Sequence, residues 1–363
     1  MVKSFLTVLL MGSALFSSAA WAEPDYKALA LSVAEGQVIP GYQRFTDAAA
    51  ALGRQAEGFC AAPDAEKLEP LRQGYHGVMD AWQGVQHVSF GPVEAFSRGQ
   101  RVQFWPDKKN ASDRQMGQLL KSRNDSILEG GRFTFASVAV QGLPALEYLL
   151  FGEQAERLLD GEDSAFRCRL VSAIAHNLTG IGQELSEDWT KPGGFRDGIA
   201  TAGEPSSPYA SAAEAASQMF NALHTQVEAL ADVKLAYPMG DSPEQARTIR
   251  LESWRSARSA RNLAVNIEAL NAFYAGGGGQ GFSRALVAEG RADLDERLRA
   301  ALERALAKTR ALEGPMETVM ATPEGWTQLD AIRADLKEAS TLLGAEIAPA
   351  LNIRIGFNAL DGD

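Results

Sequence analysis

Residues 25–59 read DYKALALSVAEGQVIPGYQRFTDAAAALGRQAEGF, and this stretch sets the helical character of the chain. Its apolar side chains recur at approximately the spacing of one helix face, at Leu29, Val33, Val38, Phe45, Ala49 and Leu52. Such a stripe predicts a long amphipathic helix rather than a strand. Pro40 and Gly41 predict a kink or a break midway, because proline lacks the N–H that the helical hydrogen bond needs.

The remainder of the chain continues this helical pattern in two halves. In the first half, the predicted helices cover Asp64–Phe90, Asp113–Gly130, the short segment Gly142–Gly152, and Ser164–Trp189. In the second half, they cover Ala210–Leu235, Pro243–Tyr274, Phe282–Leu312 and Gly325–Leu351. Amphipathic segments of this length, joined by short breaks, predict antiparallel bundles.

Residues 190–208 separate the two halves. They contain KPGG at 191–194 and PSSP at 205–208, a composition typical of a linker. We therefore predict an all-α fold of two antiparallel helical bundles of the four-helix type, packed together, over residues 23–200 and 208–363. A duplicated ancestor would explain the matching helix lengths, although no residue-level repeat accompanies them.

The first 22 residues have the features of a signal peptide. Lys3 gives a positive start, Phe5 to Phe16 is apolar, and Ala20-Trp21-Ala22 places small residues where a signal peptidase reads them. No cysteine stands near the cut to carry a lipid anchor. We expect residues 1–22 to be removed and the mature chain to work in the periplasm, with any membrane association made through a partner.

The acidic balance of the chain limits its partners. The formal net charge is -11, and it becomes -12 when the one charge of residues 1–22, Lys3, is removed. An acidic excess disfavours nucleic acid and anionic membrane surfaces. No later segment approaches the roughly 20 apolar residues of a transmembrane helix, so none is expected in the mature chain. Ordinary solubility and a cationic cargo both fit this charge.

The chain has two cysteines, Cys60 and Cys168. The periplasm favours disulfides, and a bridge between them would close a loop of about a hundred residues, stabilising the fold by about 4–5 kcal/mol in the chain-entropy model. The alternative is a pair of buried thiols that pack as small apolar groups.

Residues 142–152, GLPALEYLLFG, are the most informative segment for function. Together with four other segments, they resemble the imelysin family, whose members are also called insulin-cleaving or iron-regulated proteins. The other segments are Ala81-Trp82, FWP at 104–106, WRSARS at 254–259 and GFNALDGD at 356–363. The matches run in order through nearly the whole mature chain.

The resemblance implies a helical two-bundle fold, export, an association with iron uptake and a peptidase label. In the family, this segment reads G-x-H-x-x-E, a proposed metal ligand set or catalytic core. Here Pro144 stands at the histidine position, and proline has neither a lone pair for a metal nor a proton to move. Only Gly142 and Glu147 of the motif carry over, so we predict no catalytic residue.

Glu147 lies in an apolar segment and therefore needs a partner. One interpretation is structural, with an arginine such as Arg255 or Arg258 facing Glu147 across the two bundles. The other is a ligand site between the bundles, for which the predicted residues are Trp82, Glu147, Trp254, Arg255, Arg258 and Ser259. The cations around residue 258 could equally form surface salt bridges, each of which adds little stability.

The predicted metal ligands are His76, Asp80 and His87, with Glu94 joining them if the chain folds back. His76, Asp80, Gln83 and His87 share one helix face, and His and Asp one turn apart could share iron, zinc or another divalent metal. His87 lies about three turns from His76, so the four cannot all reach one ion. The competing interpretation is a solvated polar face.

Three classes of function remain. The first is a non-enzymatic protein of iron or other metal uptake, which binds iron, another small ligand or a periplasmic partner between the bundles. The second is a metal-dependent peptidase, and the third is a scaffold that docks a membrane partner. No His-Glu-x-x-His helix occurs in the sequence, and Gly276–Gly279 lacks the context of a phosphate loop and predicts a flexible loop.

Overall fold

The computed structural model describes residues 24–356, and within them the chain is helical, without strands. The predicted signal peptide and the end of the GFNALDGD segment, from residue 357 onward, lie outside the described residues. The first half contains α1 (Tyr26–Val33), α2 (Ile39–Ala61), α3 (Ala65–Gln83), α4 (Arg98–Val102), α5 (Ala111–Ser122), α6 (Gly142–Phe151), α7 (Arg157–Asp160), α8 (Ser164–Thr190) and α9 (Phe195–Ala200). The second half contains α10 (Ala212–Ala229), α11 (Tyr237–Met239), α12 (Ser259–Ala275), α13 (Phe282–Ala288), α14 (Ala292–Arg310), α15 (Met316–Val319), α16 (Pro323–Thr341) and α17 (Ala348–Ala350). The all-α prediction is confirmed.

The long helices form two groups. In the N-terminal group, α2 packs along α8 and α3, while α6 packs against both α3 and α8. In the C-terminal group, α14 packs along α16 and α12, and α10 contacts α12 and α16. The two groups meet where α12 crosses α3, and α1 leaves its own half to pack on α10. The buried apolar side chains therefore form one continuous core, and the division of the chain at residues 200–208 stays a prediction.

Three long helices contain a π-helical turn just before a proline and continue beyond it. A π-helical turn, Ala34–Val38, joins α1 to α2 and ends two residues before Pro40. Two more π-helical turns, Leu230–Ala236 and Leu342–Ile347, end two residues before Pro238 and Pro349. The wider turn re-satisfies backbone groups at a point where proline has no N–H to donate. The predicted break at Pro40 is thus a local widening.

The largest error of the sequence prediction lies between Pro243 and Arg258, where a helix was expected. This stretch is a loop with short 3-10 turns, and α12 begins only at Ser259. Ser253 and Ala257 have φ values of 58° and 52°, which an α-helix excludes. The loop is held instead by buried polar contacts to the other half of the chain. Among the described residues, no helix is both long and apolar enough to cross a membrane.

Candidate ligand site between the helix groups

A cleft of about 350 Å³ lies between the two helix groups. Its wall combines α3, the loop after α4, α5 and α6 of the first half with α11 and the loop before α12 of the second half. Its lining residues include Phe104, Trp105, Pro144, Glu147, Tyr237, Glu252, Trp254 and Arg255. The cleft is thus built from residues far apart in the sequence.

Glu147 reaches this cleft from the first turns of α6. Helix α6 begins at Gly142, whose φ is +74° and whose position leaves no room for a Cβ, because the carbonyl oxygen of Val102 would lie 2.3 Å from it. Pro144 follows in the first turn, where its missing N–H costs no helical hydrogen bond. Pro144 and Glu147 both line the cleft, so two positions of the family motif face the same space.

The carboxylate of Glu147 is buried, with 4% of its surface exposed, and has no ion pair among the described residues. Its Oε1 accepts hydrogen bonds from the backbone N–H of Ser256 (2.9 Å) and from the Ser256 hydroxyl (2.8 Å). Burial raises the pKa of Glu147, although the Ser256 hydrogen bonds and the charge of Arg255 oppose that shift. Its second oxygen, Oε2, has no hydrogen-bond partner among residues 24–356.

Ser256 is positioned by the loop between residues 251 and 258. The left-handed conformations of Ser253 and Ala257 lie on either side of Trp254 and Ser256, and such strain persists only where surrounding contacts fix the backbone. One such contact is the hydrogen bond from the Ser259 hydroxyl to the Glu252 carbonyl, 2.7 Å long. Ser259 therefore supports the loop and does not line the cleft.

A buried charged pair forms one end of the cleft. The Lys234 ammonium lies 2.7 Å from Oε2 of Glu252, and both side chains are less than one tenth exposed. Glu252 also accepts hydrogen bonds from the amides of Gln103 (2.7 Å), Asn262 (2.8 Å) and Gln83 (3.2 Å). Burial alone would raise the pKa of Glu252, but Lys234 and these amides outweigh it and hold that pKa below its ordinary value. Glu252 is a satisfied carboxylate, unlike Glu147.

Arg255 lies at the wall of the cleft without pairing with Glu147. Its guanidinium binds Asp113 of α5 at 2.5 Å. It also stacks 4.3 Å from the ring centre of Trp254 and 5.5 Å from that of Tyr148. The Arg255 guanidinium therefore already has a carboxylate partner, Asp113, and two aromatic contacts.

The expectation that Arg258 faces Glu147 is wrong. Arg258 is buried and binds Asp80 of α3, and its Nη1 lies 2.9 Å from Nδ1 of His76. Asp80 is bound at the same time by the exposed Arg261. Burial lowers the pKa of His76 to about 4, and Arg258 and Arg261 contribute to that shift. The pairing joins α3 to α12, so its role is to hold the two helix groups together.

The four predicted metal ligands do not come together. Glu94 accepts the backbone N–H of Gly91, and His87 is buried edge-on against Phe273, with ring centroids 4.7 Å apart. The oxygens of Asp80 hold guanidinium groups, and no set of three or more His, Cys, Asp or Glu within residues 24–356 is arranged to hold a metal ion. These residues do not fit an iron or zinc site.

The competing interpretation, a solvated polar face made by His76, Asp80, Gln83 and His87, is also wrong for two of these four residues. Gln83 is fully buried and His87 nearly so. Gln83 donates to Glu252 and accepts from Lys234, because α12 and the C-terminal group cover this face of α3. Burial lowers the pKa of His87 to about 3.

The remaining predicted residues lie away from the cleft. Trp82 packs on Phe45 inside the N-terminal group, with ring centroids 5.4 Å apart. Cys60 and Cys168 form a disulfide between the end of α2 and the start of α8, with Cα atoms 5.5 Å apart.

The loop Gly276–Gly279, predicted to be flexible, is held at its first residues by contacts with the N-terminal half. Gly277 packs on Gly36, and the Gly277 carbonyl accepts a hydrogen bond from the Ser32 hydroxyl.

Sequence reasoning missed Lys234, Gln103 and Ser256. Lys234 is the one charged residue of the stretch 233–239, VKLAYPM, and a lysine among apolar neighbours is a signal of a buried charge in need of a partner. Gln103 and Ser256 carry no comparable signal, because their roles depend on contacts between segments more than a hundred residues apart.

The fold and the cleft define an all-α protein with a space of small-molecule size between two groups of helices. The chain belongs to the imelysin family, whose model matches residues 38–343. Its fold is similar to that of an imelysin-like protein from Psychrobacter arcticum, at 19% identity and a TM-score of 0.76, over 93% of this chain and 100% of that chain. It is also similar to an iron-regulated protein A precursor from Parabacteroides distasonis, at 14% identity and a TM-score of 0.76, over 90% of this chain and 96% of that chain. No curated protein matches the chain by sequence.

Proposed function

We propose that this imelysin-family protein is a non-enzymatic binding or accessory component of iron uptake in the periplasm, with its ligand site in the cleft between the helix groups. The observation that carries the proposal is Glu147, a buried carboxylate that lines a cleft of about 350 Å³ and forms no ion pair within the described part of the chain. Buried carboxylates are costly without a charged partner, and functional sites are where such cost is retained.

The association with iron rests on kinship. One structural neighbour is named as an iron-regulated protein, and the predicted signal peptide would place the chain where uptake systems work. The donor set around His76 and Asp80 does not fit a metal, so the chain would serve iron uptake by binding another ligand or a partner.

The chemistry of the cleft supports binding more than catalysis. Pro144 presents a saturated ring beside Glu147, so the cleft offers a carboxylate without an adjacent imidazole at this position. A metal-dependent peptidase of the imelysin type and a scaffold that docks a membrane partner are the alternative functions.

Uptake of radioactive iron by cells that lack the gene tests the proposal. Complementation with the wild-type gene and with an exposed-site control, Glu324→Gln, should restore uptake, whereas Glu147→Gln and Trp254→Ala should not. Equal uptake in all four strains under iron limitation would contradict the proposal. Chelator-sensitive cleavage of an unfolded substrate by purified protein, lost in Glu147→Gln, would favour the peptidase instead.

A further inference from the structure

We infer that the ligand of the cleft presents an organic cation, an amine or a guanidinium group, to the carboxylate of Glu147. The inference rests on the proposed function, in that it takes the cleft as the ligand site, and it adds the chemical class of what binds there.

Four cations around the cleft are engaged away from Glu147. Arg255 is paired with Asp113, Lys234 with Glu252 and Arg258 with Asp80. Arg250, which also lines the cleft, lies over the ring of Tyr237. A ligand that brings its own cation would neutralise Glu147 without breaking any of these contacts.

The carboxylate of Glu147 is held in a fixed orientation by Ser256. Oε1 of Glu147 is fixed by two donors on Ser256, so the carboxylate is oriented before a ligand arrives. A guanidinium or ammonium group would bind the other oxygen, Oε2, of this oriented carboxylate through charge-assisted hydrogen bonds. The left-handed residues Ser253 and Ala257 hold Ser256 in that place at a cost in backbone strain.

Aromatic side chains form part of the cleft wall. Phe104, Trp105, Tyr237 and Trp254 all line the cleft. Cations already use these faces, since Arg250 lies 4.9 Å from the ring centre of Tyr237 and Lys234 lies 6.0 Å from that of Trp105. Electron-rich rings beside a carboxylate are the surroundings that recognise organic cations.

The donor atoms near Glu147 are too few for a metal ion. A metal ion needs several nitrogen, oxygen or sulfur donors at short distance. The motif position nearest to Glu147 is Pro144, which supplies none, and Asp107 and Asp113 already hold the Ser112 N–H and Arg255. A single free carboxylate oxygen among aromatic rings satisfies an organic cation and leaves a metal ion under-coordinated.

Isothermal titration of the purified mature protein with n-butylguanidinium and n-butylurea tests the inference, because the two probes match in shape and differ in charge. Wild type should bind the guanidinium at least about tenfold more tightly than the urea, as expected for a charged hydrogen-bonded pair. Glu147→Gln, whose amide oxygen can still accept from Ser256, should abolish that preference, and the exposed control Glu324→Gln should keep it. Trp254→Leu should weaken guanidinium binding several-fold while Glu147 is intact.

Three results would overturn the inference. Equal affinity for the two probes would show a ligand site without a preference for cations, and the proposed function would stand. A preference that persists in Glu147→Gln would place the cation on other residues. No binding of either probe would reject the cation class, while the iron-uptake measurement decides the proposed function separately.

Discussion

The guanidinium of Arg258 binds the carboxylate of Asp80 and leaves Glu147 to the amide and hydroxyl of Ser256. This pairing ties α3 to α12 across the junction of the two helix groups. It occupies the Asp80 carboxylate and the His76 ring that the sequence offered as a metal site, and it leaves Glu147 without an ion pair among residues 24–356.

Arg258 and Arg261 bind the same carboxylate from different environments, with 2% and 59% of their side chains exposed. Arg258→Met should lower the free energy of unfolding by about 3 kcal/mol, because it leaves part-buried His76 and buried Asn262 atoms without their donor. Arg261→Met, the matched control, should cost under about 1 kcal/mol. Urea unfolding measures both, and equal losses would mean that burial does not separate the two pairs.

The metal content of the purified protein tests whether His76 and Asp80 form the predicted metal site. His76→Gln and Asp80→Asn should leave the metal content of the purified protein equal to that of wild type, because arginines occupy the atoms that a metal would need. Elemental analysis after loading with Fe²⁺ or Zn²⁺ gives the answer. A stoichiometric metal in wild type that both variants lose would restore the site on α3.

The Lys234–Glu252 pair should be essential for stability. Lys234→Met would leave the Glu252 carboxylate buried without its cation, at a cost of about 3–5 kcal/mol. The exposed pair of Lys337 and Asp232 gives the control, since Lys337→Met should cost under about 1 kcal/mol. Thermal and urea unfolding of both variants would refute this account if Lys234→Met proved as mild as its control.

Gly36 allows α1 and its π-helical turn to touch the glycine loop of the C-terminal half. A Cβ on Gly36 would lie 2.3 Å from Cα of Gly277, so Gly36→Ala should destabilise the protein by about 1–3 kcal/mol. Gly117→Ala, in α5, meets nothing within 4 Å and should stabilise by up to about 1 kcal/mol. Opposite shifts of the urea midpoint are expected, and a neutral Gly36→Ala would show that this contact is not tight.

His87 should make the protein sensitive to acid. Burial lowers its pKa from 6.5 to about 3, so between these values the unfolded chain takes up a proton that the folded chain refuses. Stability contributed by the neutral ring is present above pH 6.5 and is lost as the pH falls, by about 1.4 kcal/mol per pH unit. Relative to wild type, His87→Leu should lose that slope in urea unfolding between about pH 6.5 and 4. Identical slopes would mean that His87 is protonated in the folded protein.

The helical fold, the imelysin family and the presence of Glu147 in an apolar segment were all predictable from the sequence. Helices could be predicted because hydrophobic periodicity and proline or glycine breaks depend only on residues that are close together in the sequence. The loss of the motif histidine is equally a property of one position, Pro144. The helix predicted from Pro243 failed because the same residues, rich in arginine, fit a helix locally and a strained loop in the folded protein.

The partners of the charged residues were decided by the tertiary structure alone. Arg258 finds Asp80, Lys234 finds Glu252, and Ser256 reaches Glu147 across more than a hundred residues of chain. A sequence determines which side chains need partners, because burial makes an unpaired charge costly wherever it falls. The choice among partners depends on which helices meet, and that is fixed only when two distant halves pack their apolar faces together.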